Sequence, residues 1–211
     1  EKKNREMLNF LMDRCQFLVP LPENRAMFFH QSVTEFLAAG SLASCGAWRQ
    51  LAADYLEDLR WNQVFLFAAG FFEGEAALEY ITVLLGTDSV LAAQAAEYMQ
   101  DGCDDCSMLI LEHLYQNADT KSLDYYISLE EAHVRLPVTG RHEGILRMLV
   151  GKGDLLGGIA AGWLLDLMGN TIKEEMIGLI FAHCKDDFNF VTRAAGALSS
   201  YITVGDYKEI I

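Results

Sequence analysis

The sequence predicts an almost entirely α-helical protein, in which short amphipathic helices follow one another as an irregular α-solenoid. Hydrophobic residues make up 52% of the 211-residue chain, which is ample material for a buried core. The chain has only three prolines, is rich in Leu and Ala, and shows no clear alternation of Val, Ile and Thr that would indicate a sheet. Helix-forming segments separated by short Gly, Asp or Asn turns recur along most of its length.

The N-terminal elements include the one strand that the sequence predicts. An amphipathic helix is expected over residues 6 to 18, and Pro20 and Pro22 end it because proline cannot continue a helix. A polar turn then leads to a short aromatic strand at residues 27 to 29. A small-residue helix is expected from Gln31 to about Ser44.

The next two helices differ in how far apolar residues encircle them. Over residues 48 to 59, apolar side chains recur at spacings of three and four while charged residues lie opposite, which is typical of a half-buried helix. The segment from Asn62 to Phe72 is apolar nearly all round, and it is therefore expected at the centre of the packing.

Further helices are predicted after Gly74 on the same plan. Short turns favour antiparallel neighbours, and stacked helix pairs make a solenoid of the HEAT or tetratricopeptide type. The repeat period is too imperfect to indicate one repeat family. The predicted helices cover residues 75–85, 89–100, 105–115, 121–129, 143–150, 155–168, 172–183 and 188–202.

The most distinctive stretch runs from Arg25 to Ala39, where the aromatic strand leads into a histidine and then a helix. It resembles the segment that closes the winged-helix region of NACHT-type signal-transducing NTPases, where a Phe-x-His-x-Ser-x-x-Glu-aromatic-x-Ala-Ala pattern starts the next helical domain. Many members have an aromatic-Gln pair where this chain has Val33-Thr34. The segment that begins at Trp61 resembles that family's Trp-x-x-Val helix less closely. The matching positions are Phe28 or Phe29, His30, Ser32, Glu35, Phe36, Ala38 and Ala39.

The resemblance implies a domain division and a role for one residue. Residues 1–45 would be the end of a winged-helix region with one short strand, and residues 46–211 would be a helical domain that continues into α-helical repeats. In that family the histidine often contacts the β-phosphate of bound ADP and helps to hold the resting state, which puts this role on His30. ATP, ADP and Mg²⁺ would bind an upstream nucleotide-binding domain of a longer parent, so we expect no cofactor in this fragment, which begins without Met.

His30 also has a purely structural interpretation. Neutral imidazole donates and accepts hydrogen bonds at once, so it can satisfy a backbone group at the start of a helix. Ser32 and Glu35 have the spacing of a capping box, which requires no function. The structural and functional interpretations are compatible with each other.

Five scattered cysteines do not form a disulfide framework, and free thiols are expected. Cys103 and Cys106 make a single CxxC pair whose two intervening acidic residues oppose thiolate formation. A zinc site would have to recruit His113 or the His183-Cys184 pair, because about four ligands are needed and no second CxxC is present. We therefore predict no metal site, and we interpret Cys103 and Cys106 as incidental thiols in a turn between helices. A zinc-stapled domain is the alternative.

The charge balance bears on partners and location. Thirty acidic and sixteen basic residues give a net charge of −14, which disfavours nucleic acid and makes a basic protein surface the more plausible partner. The longest apolar run, from Val64 to Phe72, is too short to cross a membrane, and no signal peptide opens the chain. We expect a soluble, cytoplasmic protein without membrane contact.

No catalytic constellation is present in the sequence. The GxxxxGK[ST], GxSxG and HExxH patterns are all missing, and the glycines between Gly151 and Gly158 are typical of a helix end and turn. The loop at residues 135 to 142 is either a plain connector or a contact surface.

Two functions follow as expectations from these observations. The first is a non-catalytic sensor or regulatory fragment of a nucleotide-switched signalling NTPase in innate immune or antiviral defence, which oligomerises in the parent protein and binds a protein or ligand on its repeats. The second is a free-standing helical-repeat scaffold that binds a protein or peptide.

Overall fold

The computed structural model describes residues 6, 7, 9–14, 17–23, 25–99, 103–118, 123–131, 135–183 and 187–201. These residues are mostly helical, and their strands form a single two-stranded sheet, so the all-α prediction is confirmed. The solenoid arrangement stays a prediction.

The chain divides into two compact units, Glu1–Phe72 and Glu73–Ile211. The helices between residues 46 and 72 therefore pack within the first unit, whereas the sequence grouped them with the later repeats. The assignment of residues 1–45 to a winged-helix region stays a prediction.

The helix expected over residues 6 to 18 is helical at the described residues 6, 7 and 9 to 14, and the sequence missed the strand that follows it, so the first unit has a hairpin where one strand was predicted. A π-helical turn at Phe10–Arg14 is followed by β1 (Leu18–Leu21), which pairs in antiparallel fashion with β2 (Arg25–Phe28). Leu18 lies opposite Phe28, and Leu21 lies opposite Arg25. The two prolines explain the error, because the residue before a proline favours an extended backbone and an edge strand tolerates the missing N–H.

Three helices complete the first unit, namely α1 (Gln31–Ser44), α2 (Trp48–Tyr55) and α3 (Asn62–Ala69). Helix α3 is buried nearly all round, as its composition predicted, and it packs against α1. The ring of Phe36 contacts Phe67 at a centroid distance of 6.0 Å and Phe71 at 5.4 Å. Helix α3 ends before Gly70, three residues earlier than predicted, because glycine is a poor helix former.

The second unit contains helices that the sequence largely predicted. Helices α8 and α9 have the predicted bounds, whereas α5 ends four residues before the predicted Gln100. The side chain of Asp88 caps α5 by accepting the N–H groups of Val90 and Leu91 at 2.9 and 3.0 Å. The helices are α4 (Gly74–Leu85), α5 (Ser89–Ala96), α6 (Cys103–Asn117), α7 (Leu123–Glu131), α8 (Glu143–Val150), α9 (Leu155–Met168), α10 (Lys173–His183) and α11 (Phe188–Ser199).

Helix α9 forms the core of the second unit and runs beside α11. A Cβ atom on Gly158 would lie 2.7 Å from the Cβ of Arg193 and 3.1 Å from the carbonyl oxygen of Phe190, so the two helices approach backbone to backbone. Further along, Gly162 faces Ala197, and the Tyr201 hydroxyl donates to Asp166 at 3.2 Å. Because these contacts advance in step on both sides, α9 and α11 run parallel.

Among the described residues, the helical run Leu155–His183 is long and apolar enough to cross a membrane, with a mean hydropathy of 1.3. Just over half of its most apolar window is buried inside the unit, and a 3₁₀ turn with Gly169 at φ 58° interrupts it. These features are typical of a core helix and are compatible with a soluble protein.

The close contact at Gly158 can be tested by substitution. We expect Gly158→Ala to lower the free energy of unfolding by about 1 to 3 kcal/mol, because the added methyl group overpacks the α9–α11 contact. The matched control is Gly162→Ala, whose methyl group would meet Ala197 at an ordinary 3.7 Å. The control should be neutral or stabilising by up to about 1 kcal/mol, because alanine favours the helix. Urea unfolding followed by circular dichroism measures the free energy of unfolding of both variants. If Gly158→Ala is as stable as Gly162→Ala, the close contact at Gly158 is contradicted.

Candidate functional site

His30 is the N-cap residue of α1. Its backbone is extended, and its Nδ1 atom accepts the N–H of Ser32 at 3.3 Å and lies 2.5 Å from the Ser32 hydroxyl oxygen. The structural interpretation is therefore confirmed, because the imidazole satisfies a backbone group at the helix start. The capping box predicted for Ser32 and Glu35 is wrong: Ser32 lies inside the helix, and Glu35 accepts the side-chain amide of Gln31 at 2.6 Å.

This arrangement fixes the other ring nitrogen of His30. Since Nδ1 accepts the Ser32 N–H, the proton of the neutral ring lies on Nε2, which becomes a donor. The residue is exposed to solvent, and the first turn of α1 carries no acidic residue that would neutralise the positive end of the helix dipole. The start of α1 thus presents an N–H donor in a positive local field, which suits an anionic oxygen.

The β1–β2 hairpin directly precedes His30 in the chain. Beyond the end of β2, the N–H of Phe29 donates to the carbonyl oxygen of Phe17 at 2.8 Å, which extends the pairing up to the residue before the cap. Several large apolar side chains on and beside this hairpin are exposed, and Phe29 has 72% of its surface accessible. An isolated two-stranded hairpin is marginally stable in water, and exposed apolar patches are typical of interaction surfaces.

Cys103 and Cys106 lie in the first turn of helix α6, so their assignment to a turn between helices is wrong. The reason is that Asp104 and Asp105, placed in the first turn, complement the helix dipole and favour a helix start. The Cys106 side chain is fully buried, and it forms no disulfide with the described residues.

The described residues give the zinc alternative no support. Among the proposed ligands, His113 lies 3.3 Å from the Ser89 hydroxyl oxygen, and the ring of His183 packs on Phe190 at 5.0 Å. Cys184 lies outside the described residues. Within the part of the chain that is described, no group of three or more His, Cys, Asp or Glu side chains could hold a metal ion.

A groove of about 390 Å³ lies in the second unit between α7, α9 and α11. Sequence reasoning missed it, because its three helices are distant in the sequence and no motif marks them. Small residues form much of its lining, and charged side chains stand among them. The lining residues are Leu129, Glu130, Arg135, Gly158, Ile159, Gly162, Trp163, Asp166, Thr192, Arg193, Gly196 and Ala197.

The charged side chains of the groove differ in their partners. Arg193 forms an ion pair with Glu130, and Asp166 accepts the Tyr201 hydroxyl. Burial, together with the hydrogen bond to Asp166 and its negative charge, raises the pKa of Tyr201, which keeps the phenol protonated as a donor. Arg135 is exposed, and its guanidinium group has no partner among the described residues.

The loop that carries Arg135 is anchored by His142, which is fully buried. The ring accepts the N–H of Thr139 at its Nδ1 atom, and its Nε2–H donates to the backbone carbonyl of Asp104, both at 2.8 Å. The Thr139 hydroxyl donates to the Asp104 carboxylate at 3.1 Å, and Arg141 pairs with Asp105 at 2.8 Å. The loop is therefore fixed to the start of α6.

The sequence contains a local signal for this anchor. Thr139-Gly-Arg-His142 has the spacing of a capping box, with histidine in the position of the usual Glu or Gln. The long-range half of the anchor, on Asp104, has no such signal.

Comparisons with known proteins leave the resemblance untested. No family model matches the chain, and neither a curated protein nor a solved structure matches it significantly.

The His142 anchor makes a testable contribution to stability. We expect His142→Ala to lower the free energy of unfolding by about 2 to 4 kcal/mol, because it opens a cavity and leaves a buried N–H and carbonyl without partners. Arg141→Ala is the neighbouring control; it removes only an exposed ion pair and should cost less than about 1 kcal/mol. Chemical unfolding compares the two, and hydrogen exchange of residues 135 to 142 reports the loop directly. Unchanged protection in His142→Ala would refute the anchor.

Proposed function

We propose that the chain is the regulatory part of a nucleotide-switched signalling protein of the NACHT type, in which His30 contacts a phosphate of bound ADP. The proposal combines the sequence resemblance of residues 25 to 39 with one observation, the His30 ring geometry. Because the Ser32 N–H donates to Nδ1, the Nε2–H of this exposed residue can donate a hydrogen bond to an acceptor outside the helix. Phosphate oxygens are such acceptors, and helix N-termini favour them.

The contact would act as a bias between two states. A hydrogen bond to a charged group contributes about 1.5 to 3 kcal/mol, which corresponds to roughly a 10- to 100-fold shift in an equilibrium. If His30 contacts phosphate only in the resting state, this hydrogen bond stabilises the resting state. Exchange of ADP for ATP then breaks the contact, and the stabilisation is lost. The nucleotide and Mg²⁺ belong to an upstream domain of the parent, and the present chain contributes one ligand and no catalysis.

The exposed apolar surface of the hairpin is consistent with a neighbouring domain that packs against the β1–β2 hairpin. Val19, Leu21, Met27 and Phe29 leave apolar surface in solvent along the hairpin that leads to His30. An adjoining nucleotide-binding domain would cover them and would bring its phosphate site to the start of α1. The helices that follow would sense a ligand or restrain the switch in innate immune or antiviral signalling in the cytoplasm.

The groove of the second unit favours a second candidate, a free-standing helical scaffold that binds a protein or peptide. The coding sequence upstream of Glu1 discriminates between the two functions. A GxxxxGK[ST] loop after a predicted strand would support the nucleotide switch, and a start codon near Glu1 would leave the scaffold.

The role of His30 is tested in the intact parent with two substitutions. We expect His30→Ala and His30→Asn both to raise basal signalling and to weaken ADP binding by roughly 10- to 100-fold, because both remove the Nε2–H donor. Asparagine is a strong N-cap and keeps the helix start, so it separates the phosphate role from capping. Basal output and the affinity for ADP are the measurements.

Gln31→Ala serves as the matched control, since Gln31 is exposed in the first turn and bonds only to Glu35 among its described neighbours. It should leave both quantities unchanged. Normal ADP affinity and normal basal output in His30→Asn would remove the phosphate role and leave His30 as a cap.

A further inference from the structure

Three glycines lie among the residues that line the groove in the second unit. Gly158 and Gly162 on α9 and Gly196 on α11 all line it, beside the nearly buried Trp163. A Cβ atom on Gly196 would meet nothing within 4 Å, so the space above this residue is open. Helix α11 covers Gly158, and Gly162 faces Ala197, so it is at Gly196 that another polypeptide backbone can approach closely.

The length of the groove suits an extended chain. Its α9 lining runs from Gly158 to Asp166, which is about 12 Å at a rise of 1.5 Å per residue. At about 3.3 Å per residue, three to four residues of an extended peptide span this length. The volume of about 390 Å³ lies at the lower end of the range of ligand sites.

The charges of the groove identify the chemistry of its occupant. Arg193 is neutralised by Glu130, and the carboxylate of Asp166 holds the Tyr201 hydroxyl. Among the charged side chains that line the groove, the guanidinium group of Arg135 has no partner in the described part of the chain. The backbone N–H of Arg135 donates to the Glu97 carboxylate, and the His142 anchor holds the loop in place. A guanidinium group binds a carboxylate through two parallel hydrogen bonds.

We infer that the groove binds an extended peptide segment that brings a Glu or Asp carboxylate to Arg135. This inference rests on the proposed binding role of the helical unit, and it is independent of the nucleotide. It concerns one site and is consistent with a net charge of −14, because the groove lining itself carries two arginines and two acidic residues. A basic partner surface stays the expectation for the acidic remainder.

The experiment uses the full chain, fluorescently labelled, on an array of immobilised pentapeptides in which each acidic peptide has a Gln or Asn counterpart. We expect retention on acidic peptides to exceed that on their counterparts by about tenfold, because the carboxylate adds a charged hydrogen bond. Arg135→Gln should reduce this preference to within about twofold. Gly196→Leu should abolish retention, since a Cβ atom there meets nothing within 4 Å and the larger side chain would occupy groove space.

Two matched variants control for charge and for added bulk. Arg60→Gln removes an exposed arginine of the first unit, and Gly178→Leu adds the same side chain at a helical glycine whose Cβ position is equally open and which lies outside the lining. Both should bind like the original chain. Circular dichroism shows whether each variant keeps its helices.

Three results would overturn the inference in distinguishable ways. Equal retention on acidic and amide peptides, lost in Gly196→Leu, would refute the carboxylate specificity and keep the peptide-binding role. If no peptide retains the chain, both the carboxylate specificity and the peptide-binding role are refuted. A dimer in sedimentation that Gly196→Leu dissociates would assign the groove to a second copy of the chain. None of these results bears on His30, which belongs to the other unit and is tested separately.

Discussion

The second unit depends on the close approach of α9 and α11 at Gly158. Because no Cβ separates the two helices there, they can pack backbone to backbone. They run parallel, and α10 connects the end of α9 to the start of α11. The same lack of side chains at Gly162 and Gly196, where the contact is looser, contributes to the groove. Small residues on these two helices thus produce both a close backbone contact and the groove beside it.

The two interpretations of His30 follow from one hydrogen bond. The Ser32 N–H satisfies Nδ1, and this bond makes Nε2 the donor. Histidine is not among the preferred N-cap residues, which are Asn, Asp, Ser and Thr. A helix start that uses a weaker cap and leaves its first turn free of acidic residues departs from what stability alone would favour. Such departures are expected at functional sites, which is why the phosphate role deserves the first test.

Local patterns predicted most of the helices, and contacts distant in sequence could not be predicted. Helices α8 and α9 have the predicted bounds because their apolar period and their flanking turns agree. The hairpin was missed because Pro20 and Pro22 are compatible with both a helix end and an extended edge strand, and only pairing with β2 decides between them. His30 could be found from its motif. The anchor of His142 on Asp104 joins residues 38 positions apart, and nothing in either segment encodes the other.

The acidity of the chain and the charge of Arg135, whose guanidinium group has no partner among the described residues, act over different distances. At physiological salt the Debye length is about 8 Å, so the net charge of −14 is largely screened beyond the surface and mainly affects how fast partners approach. A guanidinium–carboxylate pair forms at hydrogen-bonding distance and mainly affects how slowly they leave. An acidic segment can therefore be selected by the groove of a protein that repels it at long range. The repulsion adds specificity, because acidic segments that do not fit the groove have no short-range gain to offset it.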